Sequence, residues 1–595
     1  MTGVRGKLLI LFIIPVILYV ATLGVLPLME PDEARYSVIP SHMNISGDYV
    51  TPRLQGVVYI EKPPLAYWAT ALSFKIFGEN DFSARLFTGL SAWGCILLVY
   101  AMGRFFHGEK AGLYGAAVLA TSLFHYVMGR INILDMPVAF LMSLAIWAGY
   151  RYCNSGDTYR SATQLPDSGD TYRSATQLPD SGDTYRSATQ LPVHVPLREK
   201  AWLYLCYLAC ALAFLTKGLI GFVLPAAVLV IWLMAVKRWR TIPRLISPLG
   251  IVISLGVSLP WLILIQKAHG DFLRFFFIQE HFQRYISTMH HHGEPFYFYL
   301  PIIIAGTLPW CAFIFKTTGG RGRNWFRDKL FRKEDAVFLL VWGGFIFLFF
   351  SLSGSKLIPY VAALFLPLAV ALGRIFSFYD DEHRTPEEKV AVPYHLPAFA
   401  QSLIFLALLL APLFIKERKI SLETWWPWIV APLLFQALLL FLPGYVRKKT
   451  GGNWFFTVYL LTAFFLVSLV FPLSRFLSPY KSAYSLAQAI KREVPVGQEL
   501  YQYDVCLYGI DYYDKIRTPI VNDFGEISYG VAYLPPAERE RYFLRDREFF
   551  RICRQRQETY CVVKGREDLE KLEKEFPRML IMWDNEYYYL LEVKA

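Results

Sequence analysis

Charge is what this chain has little of: Asp, Glu, Lys and Arg make up 18% of its 595 residues. A soluble protein of this length divides into several domains and carries far more charge, so a water-soluble multidomain protein is excluded. Cysteine is sparse as well, with eight residues and no framework spacing. Cys95, Cys206, Cys210 and Cys311 lie in apolar runs and read as small core residues, whereas Cys506, Cys553 and Cys561 could pair if their region is extracytoplasmic. A cleavable leader is missing too. The short basic start Met1 to Lys7 precedes an apolar run, Leu8 to Leu28, longer than a signal-peptide core and without a small-x-small site, so the first helix is retained.

What fills the sequence is apolar surface: 55% hydrophobic and 16% aromatic residues, with mean hydropathy +0.33. Runs of membrane-spanning length fall near 8–28, 83–103, 111–128, 136–152, 201–216, 219–236, 246–265, 297–315, 336–352, 357–374, 398–415, 427–443 and 454–472. Short aromatic-rich amphipathic segments at 33–45 and 64–78 read as helices lying along the interface. The fold class is therefore an all-α polytopic membrane protein with about thirteen transmembrane helices, joined to a small α/β domain. The membrane domain covers 1–474, with its first outer loop at 29–82. The α/β domain covers 475–595, with strand-like runs at 499–503, 560–563 and 587–593 and helical segments at 482–493 and 566–575.

The net charge of +12 would suit nucleic acid, but its distribution argues for a bilayer. Basic residues collect in alternate loops: Arg104 and Lys110, then Lys237, Arg238, Arg240 and Arg244, then Arg321 to Lys333, then Arg447 to Lys449. If every span crosses once, these loops share the side of the N-terminus, which is then cytoplasmic. No nucleic-acid partner is expected. The loops at 29–66, 129–136, 217–218, 266–296 and 353–356 all fall on the opposite face.

Residues 155–193 repeat one 13-residue unit three times, Ser-Gly-Asp-Thr-Tyr-Arg-Ser-Ala-Thr-Gln-Leu-Pro followed by Asp, Asp and Val. The unit has no apolar face and is too short to stack, so a disordered cytoplasmic loop is expected, the product of duplication.

The outer loops carry the chemistry-bearing residues. The first holds Pro31-Asp32-Glu33-Ala34-Arg35-Tyr36 and then Tyr59-Ile60-Glu61-Lys62-Pro63-Pro64. Acids at a helix exit are often plain interfacial charges, but Arg35 is one turn from Asp32, and the two prolines fix the backbone after Glu61 and Lys62. Asp135 ends Arg130-Ile131-Asn132-Ile133-Leu134-Asp135-Met136-Pro137, where it can also cap the following helix. Lys217 sits in a minimal turn between two spans, able to snorkel or to meet a phosphate. His281 and Arg284 are spaced to share one helix face in Glu280-His281-Phe282-Gln283-Arg284-Tyr285. His281 is either structural or, with Glu61, a ligand for zinc or for magnesium or manganese. His290 to His292 read as a mobile surface tract. Lys356 and Tyr360 occupy another interfacial turn, Ser353-Gly354-Ser355-Lys356-Leu357-Ile358-Pro359-Tyr360.

Acids Asp32, Glu61 and Asp135, cations Arg35, Lys62, Lys217, Arg284 and Lys356, and tyrosines Tyr59 and Tyr360 suit group transfer from a lipid phosphate. Cations spread the leaving group's charge, and an acid accepts a proton or orients the acceptor. A transporter of lipid-linked sugar is the competing class, but transporters place charge near the midplane in broken helices rather than at loop ends. A bare membrane anchor for the α/β domain would not need so many interfacial acids.

Taken together, these motifs resemble the aminoarabinose transferases of lipid A, relatives of the protein O-mannosyltransferases in the GT-C class of glycosyltransferases. The likeness runs from the first span through the C-terminal domain. It implies a bacterial inner-membrane enzyme with a periplasmic site, moving a sugar from undecaprenyl phosphate to lipid A phosphate with inversion. A family member acting on another sugar or another lipid, polysaccharide or protein acceptor is the alternative. Carried over by motif, Asp32 is the central catalytic carboxylate and Asp135 the second-loop acid. Glu61 and His281 match metal-holding positions. Arg35, Lys62, Lys217, Lys356 and Tyr360 match phosphate-handling positions, and Tyr59 a cavity tyrosine. The tandem repeat and the histidine run depart from the family pattern without removing a motif residue.

Overall fold

The computed structural model describes residues 4–163, 197–283, 294–313, 333–382 and 454–594. Among the described residues, Val4–Ala21, Asp81–His107, Glu199–Lys217, Pro248–Ala268, Glu334–Ser351 and Ile358–Phe378 are long and apolar enough to cross a membrane, and Ile220–Ala235 is a shorter apolar helix. The expected spans at 398–415 and 427–443 and the histidine tract lie outside the described residues. Leu8, Leu9, Phe12, Ile13 and Ile17 on the first helix, and Val252, Leu255 and Ile263 on another, leave their side chains exposed, as a lipid-facing surface does.

Two expected spans are broken. The run 111–128 divides into Glu109–Ala120 and Leu123–Met128. The Thr121 and Ser122 hydroxyls turn back onto the Ala117 and Val118 carbonyls, each at 2.7 Å, and compete with the backbone ladder there. The run 297–315 contains helix Tyr299–Gly306 and a 3-10 turn, Trp310–Phe313, separated by Pro309, which has no N–H to donate. Elsewhere small residues let helices approach closely. A Cβ on Gly373 would stand 2.4 Å from the Gly115 backbone nitrogen, so these two helices touch main chain to main chain.

The helix beginning at Asp135 continues to Thr163. This corrects the expectation of disorder from residue 155: the start of the first repeat unit extends an existing helix, which requires no new nucleus. Residues 164–193 of the repeat lie outside the described residues.

The boundary at 474 also moves. One helix, Trp454–Lys481, runs from the membrane domain straight to the α/β domain. That domain is a six-stranded sheet ordered Phe543–Leu544, Ile520–Val521, Leu500–Tyr503, Glu558–Lys564, Tyr588–Lys594, Leu580–Asp584. The first four strands are parallel, and Tyr588–Lys594 pairs antiparallel to both of its neighbours. Alternate residues feed two cores. Tyr501, Cys561, Val563 and Leu591 face one side, and Leu500, Tyr560, Val562 and Leu590 the other. Helices Tyr484–Glu493 and Gly565–Glu575 agree with the expected segments. All eight cysteines are free thiols, so the pairing considered for Cys506, Cys553 and Cys561 does not occur. Cys553 and Cys561 are buried as apolar side chains in one core.

Candidate functional site

The first outer loop folds into helix Asp32–Ser46, a two-residue hairpin, Arg53–Leu54 with Val57–Val58, and helix Leu65–Phe77. The two helices are those expected along the interface. Asp32 is the first residue of its helix. Its carboxylate meets the Arg35 guanidinium one turn on, and 54% of the Asp32 side chain remains exposed against 6% for Arg35. Arg35 lies 5.0 Å from the Tyr36 ring and 5.8 Å from the Tyr59 ring.

Glu33, the neighbouring acid, has a different fate. It is buried and held by Arg85, with Nε to Oε1 and Nη2 to Oε2 both at 2.7 Å. The amides of Met29 at 3.0 Å and Asn132 at 2.8 Å complete its shell. Glu33 thereby ties together the end of the first span, the second span and the second outer loop.

Glu61 accepts a hydrogen bond from the Tyr59 hydroxyl at 3.1 Å. Burial pushes the Tyr59 hydroxyl well up; Arg35 opposes this and Glu61 reinforces it, so the phenol stays protonated as a donor. The Lys62 ammonium stands 3.6 Å from the Glu61 carboxylate and donates to Glu280 at 3.0 Å. Glu280 lies on a π-helix, Phe275–Gln283. His281 is the next residue on that π-helix, and its side chain lies outside the described residues, as does the whole of Arg284.

Asp135 is the first residue inside its helix rather than the cap before it, which corrects the capping expectation. Its carboxylate pairs with Lys217, and Lys217 sits 4.6 Å over the Tyr360 ring. Lys217, Asp135 and Tyr360 are thus brought together from three separate turns. Lys356 is turned differently. It is buried and donates to the carbonyls of Glu294 and Ser353, each at 2.8 Å, which among the described residues leaves its third ammonium proton unassigned.

Tyr36 links these pieces. Burial pushes its hydroxyl up, Arg35 opposes, and Asp32, Asp135 and Glu61 add to the rise. All three acids named from sequence therefore act electrostatically on this one side chain. Glu33, Tyr36 and Glu280 sit inside motifs quoted from sequence, yet their roles depend on the tertiary pairing.

A further acid comes from the α/β domain. Glu526, in the turn Gly525–Ile527, contacts Arg35 directly and lies 3.4 Å from the Tyr59 hydroxyl. Beside it, Tyr529 stacks on Phe275 at 3.9 Å with the rings 21° apart. Gly530 seats on the hairpin, where a Cβ would stand 2.2 Å from the Val58 carbonyl oxygen. Glu30 accepts from the amides of Gly509 at 2.5 Å and Tyr508 at 3.3 Å, where helix Tyr508–Asp514 begins. The α/β domain therefore roofs the site.

Among the described residues, no group of three or more His, Cys, Asp or Glu side chains is arranged to hold a metal. Glu61 and Glu280 already share the Lys62 ammonium, so one cation is supplied by the chain itself. The pair considered from sequence, Glu61 and His281, has its carboxylate in this cluster and its imidazole next in sequence to Glu280.

Residues 61–162 match the family described as dolichyl-phosphate-mannose-protein mannosyltransferase. A Pseudomonas fluorescens protein named undecaprenyl phosphate-alpha-4-amino-4-deoxy-L-arabinose arabinosyl transferase 2 is 30% identical over 58% of this chain and 51% of its own length. The chain thus spans about half the length of that curated relative. An Aeromonas salmonicida arabinosyl transferase is 26% identical over 89% of this chain and 88% of its own. Among solved structures, ArnT from Cupriavidus metallidurans bound to undecaprenyl phosphate superposes with a TM-score of 0.76, covering 99% of this chain and 98% of that one at 22% identity. The chain has the fold of that protein, a helical membrane domain with a small sheet domain.

Proposed function

We propose that this chain, a relative of the undecaprenyl phosphate-aminoarabinose arabinosyl transferases that shares the ArnT fold, is an inner-membrane glycosyltransferase with its site on the periplasmic face. It moves 4-amino-4-deoxy-L-arabinose from undecaprenyl phosphate to a phosphate of lipid A. The observation carrying this reading is the pairing of Asp32 with Arg35, Glu61 with Lys62 and Asp135 with Lys217 at the outer ends of the spans, with all three acids acting on Tyr36.

An acceptor phosphate oxygen attacks the anomeric carbon as the bond to the undecaprenyl phosphate oxygen breaks, and attack from the opposite face inverts the centre. The electron pair of the broken bond leaves on undecaprenyl phosphate, which gains a negative charge. Arg35 and Lys217 hold that phosphate, and Lys356 and Tyr360 border it, so the developing charge meets preset cations. An acceptor phosphate is already ionised, so Asp32 orients the sugar and acceptor rather than deprotonating them. Arg284, which lies outside the described residues, stays a phosphate-binding candidate from sequence. A divalent metal held by Glu61 and His281 would fix the first loop against the π-helix and supply positive charge there. No step above passes through it.

Mass spectrometry of lipid A from cells with and without the gene tests the reading. A mass increment of one aminopentose that depends on the gene supports it, and unchanged lipid A overturns it.

A further inference from the structure

We propose that Glu526 of the α/β domain is a specificity residue of the membrane site, the counter-ion that receives the ammonium of the donor sugar. This rests on the function proposed above and names the group that reads the sugar.

The inference starts from a charge imbalance. Among the described residues, Asp32, Glu61, Glu280 and Glu526 stand around the Arg35 end of the site, faced by Arg35 and Lys62. A site built only to hold phosphate would not gather more carboxylates than cations, because like charge repels the ligand. A donor that joins a phosphodiester to an ammonium-bearing sugar is a zwitterion and suits both signs. Of the four acids, Glu280 is committed to Lys62, Glu61 takes the Tyr59 hydroxyl, and Asp32 has a place in the transfer itself. Glu526 is the one that comes from outside the membrane domain, and 48% of its side chain is exposed.

Arg35 explains how Glu526 becomes available. Its Nη1 meets Glu526, its Nη2 meets Asp32, and its Nε is buried without an acceptor among the described residues. A guanidinium prefers the paired oxygens of a phosphate, which can engage Nε and an Nη together. Donor phosphate arriving at Arg35 displaces Glu526, whose carboxylate then lies beside the sugar attached to that phosphate. The Tyr59 hydroxyl, 3.1 Å from Glu61 and 3.4 Å from Glu526, turns its single O–H from Glu61 to the released carboxylate and keeps it in the mouth. The flanking anchors, Tyr529 on Phe275 and Gly530 on the hairpin, hold the turn in register.

The test uses the full chain in lipid nanodiscs with Glu526→Gln and Glu526→Asp. Two donors are compared, undecaprenyl phosphate carrying 4-amino-4-deoxy-L-arabinose and the same lipid carrying arabinose, whose 4-position is a hydroxyl. Displacement of labelled undecaprenyl phosphate measures the affinity of each donor without requiring turnover. In Glu526→Gln the preference for the amino donor over the hydroxyl donor falls by roughly tenfold, the scale of one charged hydrogen bond. Glu526→Asp keeps most of the preference, and bare undecaprenyl phosphate binds Glu526→Gln at least as tightly as wild type. An equal loss for both donors, or an unchanged preference, overturns the inference. Wild-type protein that binds both donors and transfers neither counts against the proposed function, while the displacement ratio still decides the role of Glu526.

Discussion

Arg85 gives all five of its N–H groups away, and Glu33 takes two of them. Nε and Nη2 go to the Glu33 carboxylate, and the other three reach the carbonyls of Leu23, Leu26 and Pro27 at 2.5 to 2.9 Å. The guanidinium thus closes the C-terminal side of the first span and fixes the helix that presents Asp32 and Arg35. Removing one partner leaves the other buried and uncompensated, at a cost of ~3–5 kcal/mol. Arg85→Ala should therefore lower the thermal midpoint in detergent sharply, with Glu33→Gln milder because an amide still accepts. A midpoint unchanged in Arg85→Ala would show that the node does not hold the loop.

Asp32 offers the opposite combination, low structural cost and high chemical cost. Its side chain is more than half exposed and touches one partner, Arg35. Asp32→Asn should express normally and keep its thermal midpoint, while transfer to lipid A falls by ~100-fold, as expected for a group that holds the reacting atoms in line. Near-wild-type turnover would remove Asp32 from the chemistry.

Metal content checks the Glu61 and His281 pairing. Elemental analysis of purified protein should find a divalent metal in wild type and a joint loss in Glu61→Ala and His281→Ala. The same metal content in all three proteins would end the metal reading and leave Lys62 as the cation between Glu61 and Glu280.

Glu30 makes the seating of the α/β domain pH-dependent. Burial pushes its carboxyl up to about 8 from an ordinary 4.5, against the pull of the Gly509 and Tyr508 amides and of Arg35 and Lys564. Between those values the folded protein keeps a proton that the unfolded chain releases, so this group's contribution to stability falls as pH rises from 4.5 to 8. Glu30→Gln should flatten that slope in thermal midpoints measured across the range. An identical slope in the variant would assign the dependence to another group.

Deletion of residues 164–193 should leave lipid A modification intact, measured by mass spectrometry in a complemented strain. A large loss of product would give the tandem repeat a role in the reaction.

Much of this was readable from the chain because its strongest signals are local. Apolar runs set most of the helices, and the interfacial helices at 33–45 and 64–78 emerge at Asp32–Ser46 and Leu65–Phe77. The acids stood out because proline and basic residues bracket them in short loops. Breaks within a span were less visible: Thr121 and Ser122 look innocuous until their hydroxyls are seen on the carbonyls behind them. Glu526 could not be found this way. It lies 467 residues from Tyr59, in a domain with its own sheet, and nothing near it in sequence points toward the membrane. Likewise Glu33 and Asp32 are adjacent and chemically alike, and the position of Arg85 makes one a buried strut while the other stays exposed beside Arg35.

The helix that starts with Asp135 is 29 residues long, ~43 Å at the usual rise. Its first residue holds the ion pair with Lys217, and its last turns carry the first residues of the duplicated tract. The helix's own length therefore keeps the two ends apart. A unit gained or lost past this helix's last turn is a change made ~43 Å from the Asp135 carboxylate.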